Sequence, residues 1–156
     1  MPFENHPGIM PTQKLWHYRR ELFSYYMGIA IGDEYIGTST DQTRILELEL
    51  ERVFCSGAWI GAIILACASS EVYIHSQGTT REAKFLSKYK LREDWMWLER
   101  RRNQLVHMNN NISYQDYMHA PEAFEEEAQR AVQIALKIIL LGTREQLESS
   151  IKREMN

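Results

Sequence analysis

The sequence predicts an all-α protein, an up-and-down bundle of about five helices in a single domain. Three observations carry this expectation. The 156 residues include only eight glycines and four prolines, and long stretches contain neither, so few breakers interrupt helix formation. Apolar residues return at three- and four-residue spacing along most of the chain. Residues suited to starting or stopping a helix, such as Thr12, Asp41, Pro121 and Gly142, bracket those segments. A chain of this length fits one domain with a sizeable core. Hydrophobic residues at 44% and charged residues at 25% are ordinary for a soluble globular protein.

Residues 1–11 read as an irregular arm with three prolines, and they lack the basic-then-apolar pattern of a secretory leader. A cytoplasmic location is the resulting expectation. Thr12 opens a helix over 13–27, on which Leu15, Tyr18, Leu22, Tyr25 and Tyr26 recur at near-helical spacing. Gly28 is its expected stop, and the stretch to residue 40 reads as a loop or short hairpin. His6 and His17 find no third ligand at a matching spacing, so no metal site is expected.

Asp41 suits the N-cap of a long helix over about 42–75. Its first turns are acidic, through Glu47, Glu49 and Glu51, and then charge vanishes: no side chain from Val53 to Ser70 is charged. Such a run must be weighed as a membrane span. Its glycines, serines and alanines, the lack of a flanking cationic cluster and the lack of a second span favour a buried central helix, with no membrane partner. Gly57 and Gly61 form a G-x-x-x-G pair beside a row of Ala58, Ala62 and Ala66. These small residues invite close approach of another helix, including the same helix of a second copy. Cys55 and Cys67, about 18 Å apart along such a helix, read as buried free thiols.

A turn at 76–80 leads to a short helix over 81–89 and then to a helix starting between Leu91 and Asp94. Leu91, Trp95, Leu98, Leu105 and Asn109 share one stripe of that helix, and Arg102 falls in the middle of it. An arginine at an apolar position is either paired inside the bundle or faces an interface cleft. Pro121 opens a further helix to Leu141 with Gly142 as its stop, and Glu122 and Glu125 to Glu127 suit its N-terminal turns. Thr143 and Gln146 read as a capping box for a short last helix carrying Leu147 and Ile151. The domain thus divides into the arm, an N-terminal helix and loop over 12–40, a core bundle over 41–142 and a C-terminal helix over 143–156.

The functional signal is concentrated in Arg100-Arg101-Arg102-Asn103-Gln104-Leu105-Val106-His107. Net charge is -3 overall, yet residues 81–102 carry eight Lys or Arg against four Asp or Glu, a local basic strip on an acidic protein. His107 can move a proton near neutral pH, and Arg102 offers a planar donor fork for phosphate oxygens. Asn103, one turn before His107, can orient the ring or bind phosphate. Arg100 and Arg101 can hold flanking phosphates, and Tyr114 or Tyr117 can stack on a base. Arg102 and His107 lie about 140° apart on an ideal helix, so either the helix distorts near Asn109 or two copies share a cleft. Glu71, the first carboxylate after the uncharged run, either pairs with Arg102 or marks where its helix emerges into water.

The segment Arg102 to His107, RNQLVH, resembles the R-x(4-6)-H motif of the HEPN superfamily in its R-N-x-x-x-H form. The preceding helix with Leu91, Trp95 and Leu98 is similar to what that family carries before its motif. The resemblance implies a small helical bundle, a homodimer with the site at its interface, and metal-independent endoribonuclease activity with no cofactor. Arg102 and His107 would be catalytic, aided by Asn103, with Glu71 behind them and RNA as the partner. It further implies a toxin or defence role with a cognate antitoxin or regulatory protein. Some HEPN toxins carry a tyrosine two residues after the histidine as a site of silencing. This chain has Asn109 there. The alternative expectation is a non-catalytic bundle that binds a nucleotide or a partner protein.

Overall fold

The computed structural model describes residues 9–31, 41–76, 79–107 and 112–156. These form seven helices: α1 (Gln13–Ile31), α2 (Asp41–Ser56), α3 (Trp59–Ser76), α4 (Thr79–Lys88), α5 (Arg92–Val106), α6 (Tyr114–His119) and α7 (Glu122–Glu154). The all-α bundle expected from the sequence is observed, with more helices than the expected five and several different boundaries. No strand occurs among the described residues, and no helix among them is long and apolar enough to cross a membrane. The reading of 32–40 as a loop or hairpin lies outside the described residues, as do His6 and Asn109.

Helix α3 is the centre of the packing, with α2, α5 and α7 against it and α1 closing over α2 and α7. Ala62, Ile63, Ala66, Cys67 and Ile74 of α3 are fully buried, and so are Phe23, Leu50, Phe54 and Leu98 from its neighbours. At about 25 cal/mol per Å² of apolar surface removed from water, this core supplies the main folding force. Cys55 and Cys67 are buried free thiols.

The expected long helix over 42–75 is two helices. Gly57 has φ +79°, the left-handed conformation that ends helices, and its amide bonds to the Phe54 carbonyl at 3.1 Å. The break is built around Arg19 of α1, which is 3% exposed. Its Nη1 donates to the Cys55 carbonyl at 3.1 Å, satisfying one of the open carbonyls at the end of α2. Its guanidinium also lies 4.6 Å from the Trp59 ring centroid. A Cβ on Gly57 would sit 2.8 Å from that guanidinium. The G-x-x-x-G pair is therefore a helix end followed by a contact within the chain, since the space for a Cβ on Gly61 closes at 3.3 Å on Val53 of α2.

Two other glycines do not stop helices. Helix α1 continues through Gly28 and buries Ala30. Helix α7 continues through Gly142, so the short last helix expected over 143–156 is its final third. Thr143 is not a cap there: its Oγ1 donates back to the Ile139 carbonyl at 2.8 Å, a bond made inside helices. Gly142 is needed for packing, because a Cβ would lie 2.4 Å from the Tyr73 ring of α3.

The turn that aims α5 has no glycine. Lys90 adopts φ 55°, the Leu91 amide bonds to the Leu86 carbonyl at 2.8 Å, and the Lys90 amide bonds to the Ser87 carbonyl at 3.2 Å. This is the paired hydrogen-bond pattern of a Schellman helix end, with buried Leu86 and Leu91 as its apolar contact. The chain thereby turns from α4 directly into α5.

Two substitutions test these backbone roles in thermal melts. Lys90→Gly removes the cost of a left-handed lysine and raises stability by roughly 0.5–1 kcal/mol. Gly142→Ala gains about 1 kcal/mol of helix propensity but overpacks against Tyr73 at about 1–3 kcal/mol, so its melting temperature falls. The opposite order of the two melting temperatures would contradict this account of both residues.

Candidate functional site at the end of helix α5

Leu91, Trp95 and Leu98 are buried and Leu105 is half-buried, so the apolar stripe read from the sequence faces the core. Arg102 occupies that stripe with 29% of its side chain exposed. Its Nη2 donates to Glu71 Oε1 of α3 at 2.5 Å. Of the two readings left open for Glu71, the pair with Arg102 is the one observed. The Arg102 Nε is buried without a hydrogen-bond partner among the described residues, and such a donor carries a desolvation cost. Cys67, one turn before Glu71, places its Sγ 4.0 Å from the same carboxylate oxygen. Burial, with Glu71 adding to it, pushes the Cys67 thiol up to about 11 against the pull of Arg102. That thiol is neutral at physiological pH and unsuited to act as a nucleophile.

The three adjacent arginines separate because successive residues on a helix are about 100° apart. Arg100 is exposed, and its guanidinium forms no ion pair among the described residues. Arg101 is drawn to α7, its Nε donating to Glu127 Oε2 at 2.6 Å and its Nη1 to Gln104 Oε1 at 3.2 Å. Arg102 points the other way, to α3. The basic strip is thus partly neutralised by other helices, and a third ion pair joins Lys88 to Glu145, which also accepts from the Tyr89 hydroxyl. Lys84, Lys90 and Arg92 remain exposed.

Helix α5 ends at Val106. His107 is exposed, with an extended backbone at φ -92° and ψ 136°, and its amide still donates to the Asn103 carbonyl at 3.0 Å. That bond keeps the His107 amide and Cα on the helical track, and the extended ψ redirects only the chain that follows, so the imidazole leaves α5 roughly 140° around from Arg102. Asn103 is exposed one turn earlier. The imidazole and the Asn103 amide are both open to solvent, while the Arg102 guanidinium is held against α3 by Glu71.

Tyr114 and Tyr117 have different fates. Ser113 caps α6, accepting from the Asp116 amide at 3.3 Å, and Tyr114 opens that helix 73% exposed. Tyr117 stacks edge-on against Phe124 of α7, ring centroids 5.1 Å apart, which makes it part of the packing. Arg130 was not anticipated from the sequence. It lies 4.1 Å from the Trp97 ring centroid and bonds to Asp94 at 3.3 Å, tying α7 to the first half of α5. No group of three or more His, Cys, Asp or Glu side chains suited to a metal occurs among the described residues.

What the fold and this cluster define is a helical bundle whose motif helix is pinned on both sides by ion pairs and ends in an exposed histidine. Compared with models of protein families, with curated proteins and with solved structures, the chain matches none.

The pinning is measurable. Glu71→Gln and Arg102→Met each lower stability, since breaking a half-buried pair strands one partner. In a double-mutant cycle read by urea denaturation, the two changes together cost less than their sum, with a coupling of about 1 kcal/mol or more. Strict additivity would mean that the pair contributes nothing to holding α5.

Proposed function

We propose that this protein is a metal-independent endoribonuclease of the HEPN type that works as a homodimer. The observation that carries the reading is the combination at the end of α5: Arg102 held on the apolar stripe by Glu71, and His107 leaving the same helix into solvent one turn after Asn103. In the proposed reaction the 2'-hydroxyl of RNA attacks the adjacent phosphate. His107 takes the hydroxyl proton or returns one to the leaving oxygen. Arg102 stabilises the charge that grows on the phosphorane oxygens. Asn103 orients the imidazole or binds phosphate, and exposed Arg100 holds a flanking phosphate. Tyr114, mostly exposed on α6, offers a face on which a base can stack. This chemistry uses no cofactor. A second copy would complete the cleft, and a cognate antitoxin or regulatory protein would restrain it in a cytoplasmic toxin or defence role.

One observation favours a second reading, a bundle that binds a nucleotide or a partner protein without turnover. Arg101 and Arg102 already have carboxylate partners, and a phosphate must compete with Glu71 and Glu127 for them. On that reading Arg102→Ala costs binding or solubility and no RNA is cut.

Inducible expression of wild type and of His107→Ala separates the readings. The ribonuclease reading expects growth arrest and fragmented total RNA with wild type. The variant, losing proton transfer worth roughly 10²–10⁴ in rate, leaves both intact at equal expression. Soluble wild type that leaves growth and RNA untouched would remove the catalytic reading.

A further inference from the structure

Helix α1 carries exposed aromatic rings, and the early turns of α7, against which α1 packs, carry carboxylates with no ion pair among the described residues. Tyr18 and Tyr25 lie seven residues apart, two turns along one face of α1, and remain 58% and 63% exposed. The Tyr25 ring leans on Tyr26, with centroids 6.2 Å apart, and the Tyr26 hydroxyl donates to Gln129 Oε1 of α7 at 3.2 Å. Burial pushes the Tyr26 hydroxyl up, and Tyr18, Glu125 and Tyr25 add to that shift, so Tyr26 links the tyrosine face to the early turns of α7. Glu122 and Glu126 are exposed there and Glu125 is half-buried. None of the three forms an ion pair among the described residues. Burial pushes the Glu125 carboxyl upward; Arg19 opposes that shift, and Glu122 and Glu126 add to it. Arg19 is no surface counter-charge, because it is buried on Trp59 and the Cys55 carbonyl.

The chemistry of such a surface selects its partner. The face of a tyrosine ring is electron-rich and attracts guanidinium and ammonium groups within about 6 Å of its centre. An apolar partner would strip water from carboxylates without replacing it, and a nucleic acid backbone would be repelled. Lys14, one turn before Tyr18, and Glu21, between the two tyrosines, are both exposed and offset each other. The geometry points to a docking surface for a cationic segment of a partner protein, with arginine or lysine stems lying over Tyr18 and Tyr25 and their charged heads meeting Glu122 and Glu126. This surface is independent of the α5 residues and of the ribonuclease reading.

The test uses the full chain and a fluorescein-labelled ten-residue peptide of alternating arginine and glycine, read by anisotropy at physiological salt. Wild type binds it. A Tyr18→Ala, Tyr25→Ala variant and a Glu122→Gln, Glu126→Gln variant each weaken binding by about tenfold or more. Glu148→Gln, on the distal part of α7, leaves it unchanged. All of these residues are exposed, and circular dichroism confirms that each variant keeps the helical fold. Binding that ignores both double variants, or an equally tight alternating glutamate–glycine peptide, overturns the proposal. So does self-association in sedimentation that Tyr18→Ala, Tyr25→Ala abolishes, which would make a second copy the occupant.

Discussion

The structure depends on how α3 is covered. Its length from Trp59 to Ser70 carries no charge, so no side of it can face water without exposing apolar surface. Helices α2, α5 and α7 surround it, and α1 packs against two of these. Its two buried serines turn their hydroxyls back onto the carbonyls of Leu65 and Ala66, at 2.7 and 2.8 Å, leaving no polar demand on neighbouring helices. The first charge that α3 bears is Glu71, and a carboxylate at the edge of such a core needs a cation. Arg102 supplies it. One requirement, covering an uncharged helix up to its first carboxylate, thus accounts both for the bundle and for the position of the motif helix.

The same logic holds at the other end of α3. Helix α2 must stop so that the chain can turn into α3, and its last carbonyls need donors. Arg19 provides one from α1 while its guanidinium stacks on Trp59. Two arginines set into apolar stripes, Arg19 and Arg102, thereby tie the two ends of the central helix to other elements. Each leaves its Nε buried without a partner among the described residues, a cost that the surrounding packing offsets.

Much of this was legible in the sequence, and the failures share a cause. Helical periodicity with few glycines and prolines points to the all-α class, the interrupted stripe on α5 singles out Arg102, and the end of the uncharged run leaves pairing with Arg102 as one of two readings of Glu71. Arg19 occupies the same kind of position, four residues after Leu15 and three before Leu22, and the test applied to Arg102 would have found it. Glycine fails as a stop signal at the helix ends. Gly57 does end a helix, within a stretch read as continuous; Gly28 and Gly142 end none. What decides between these outcomes is a distant neighbour: the Arg19 guanidinium at Gly57 and the Tyr73 ring at Gly142. Local composition carries no record of either. The Schellman turn at Lys90 was missed because a lysine there breaks the usual glycine rule, and the partners of Arg101 and Arg130 on α7 and α5 are set by tertiary packing alone.

On the proposed ribonuclease reading, the 2'-hydroxyl of RNA is the nucleophile, His107 moves its proton and Arg102 holds the phosphate. The direct measurement is end-group analysis of RNA incubated with purified protein, beside a substrate methylated at its 2'-oxygens. Attack by the 2'-hydroxyl leaves fragments with 2',3'-cyclic phosphate and 5'-hydroxyl ends, and the methylated RNA stays uncut. Fragments with 3'-hydroxyl and 5'-phosphate ends, equal cleavage of the methylated substrate, or intact RNA throughout would contradict it.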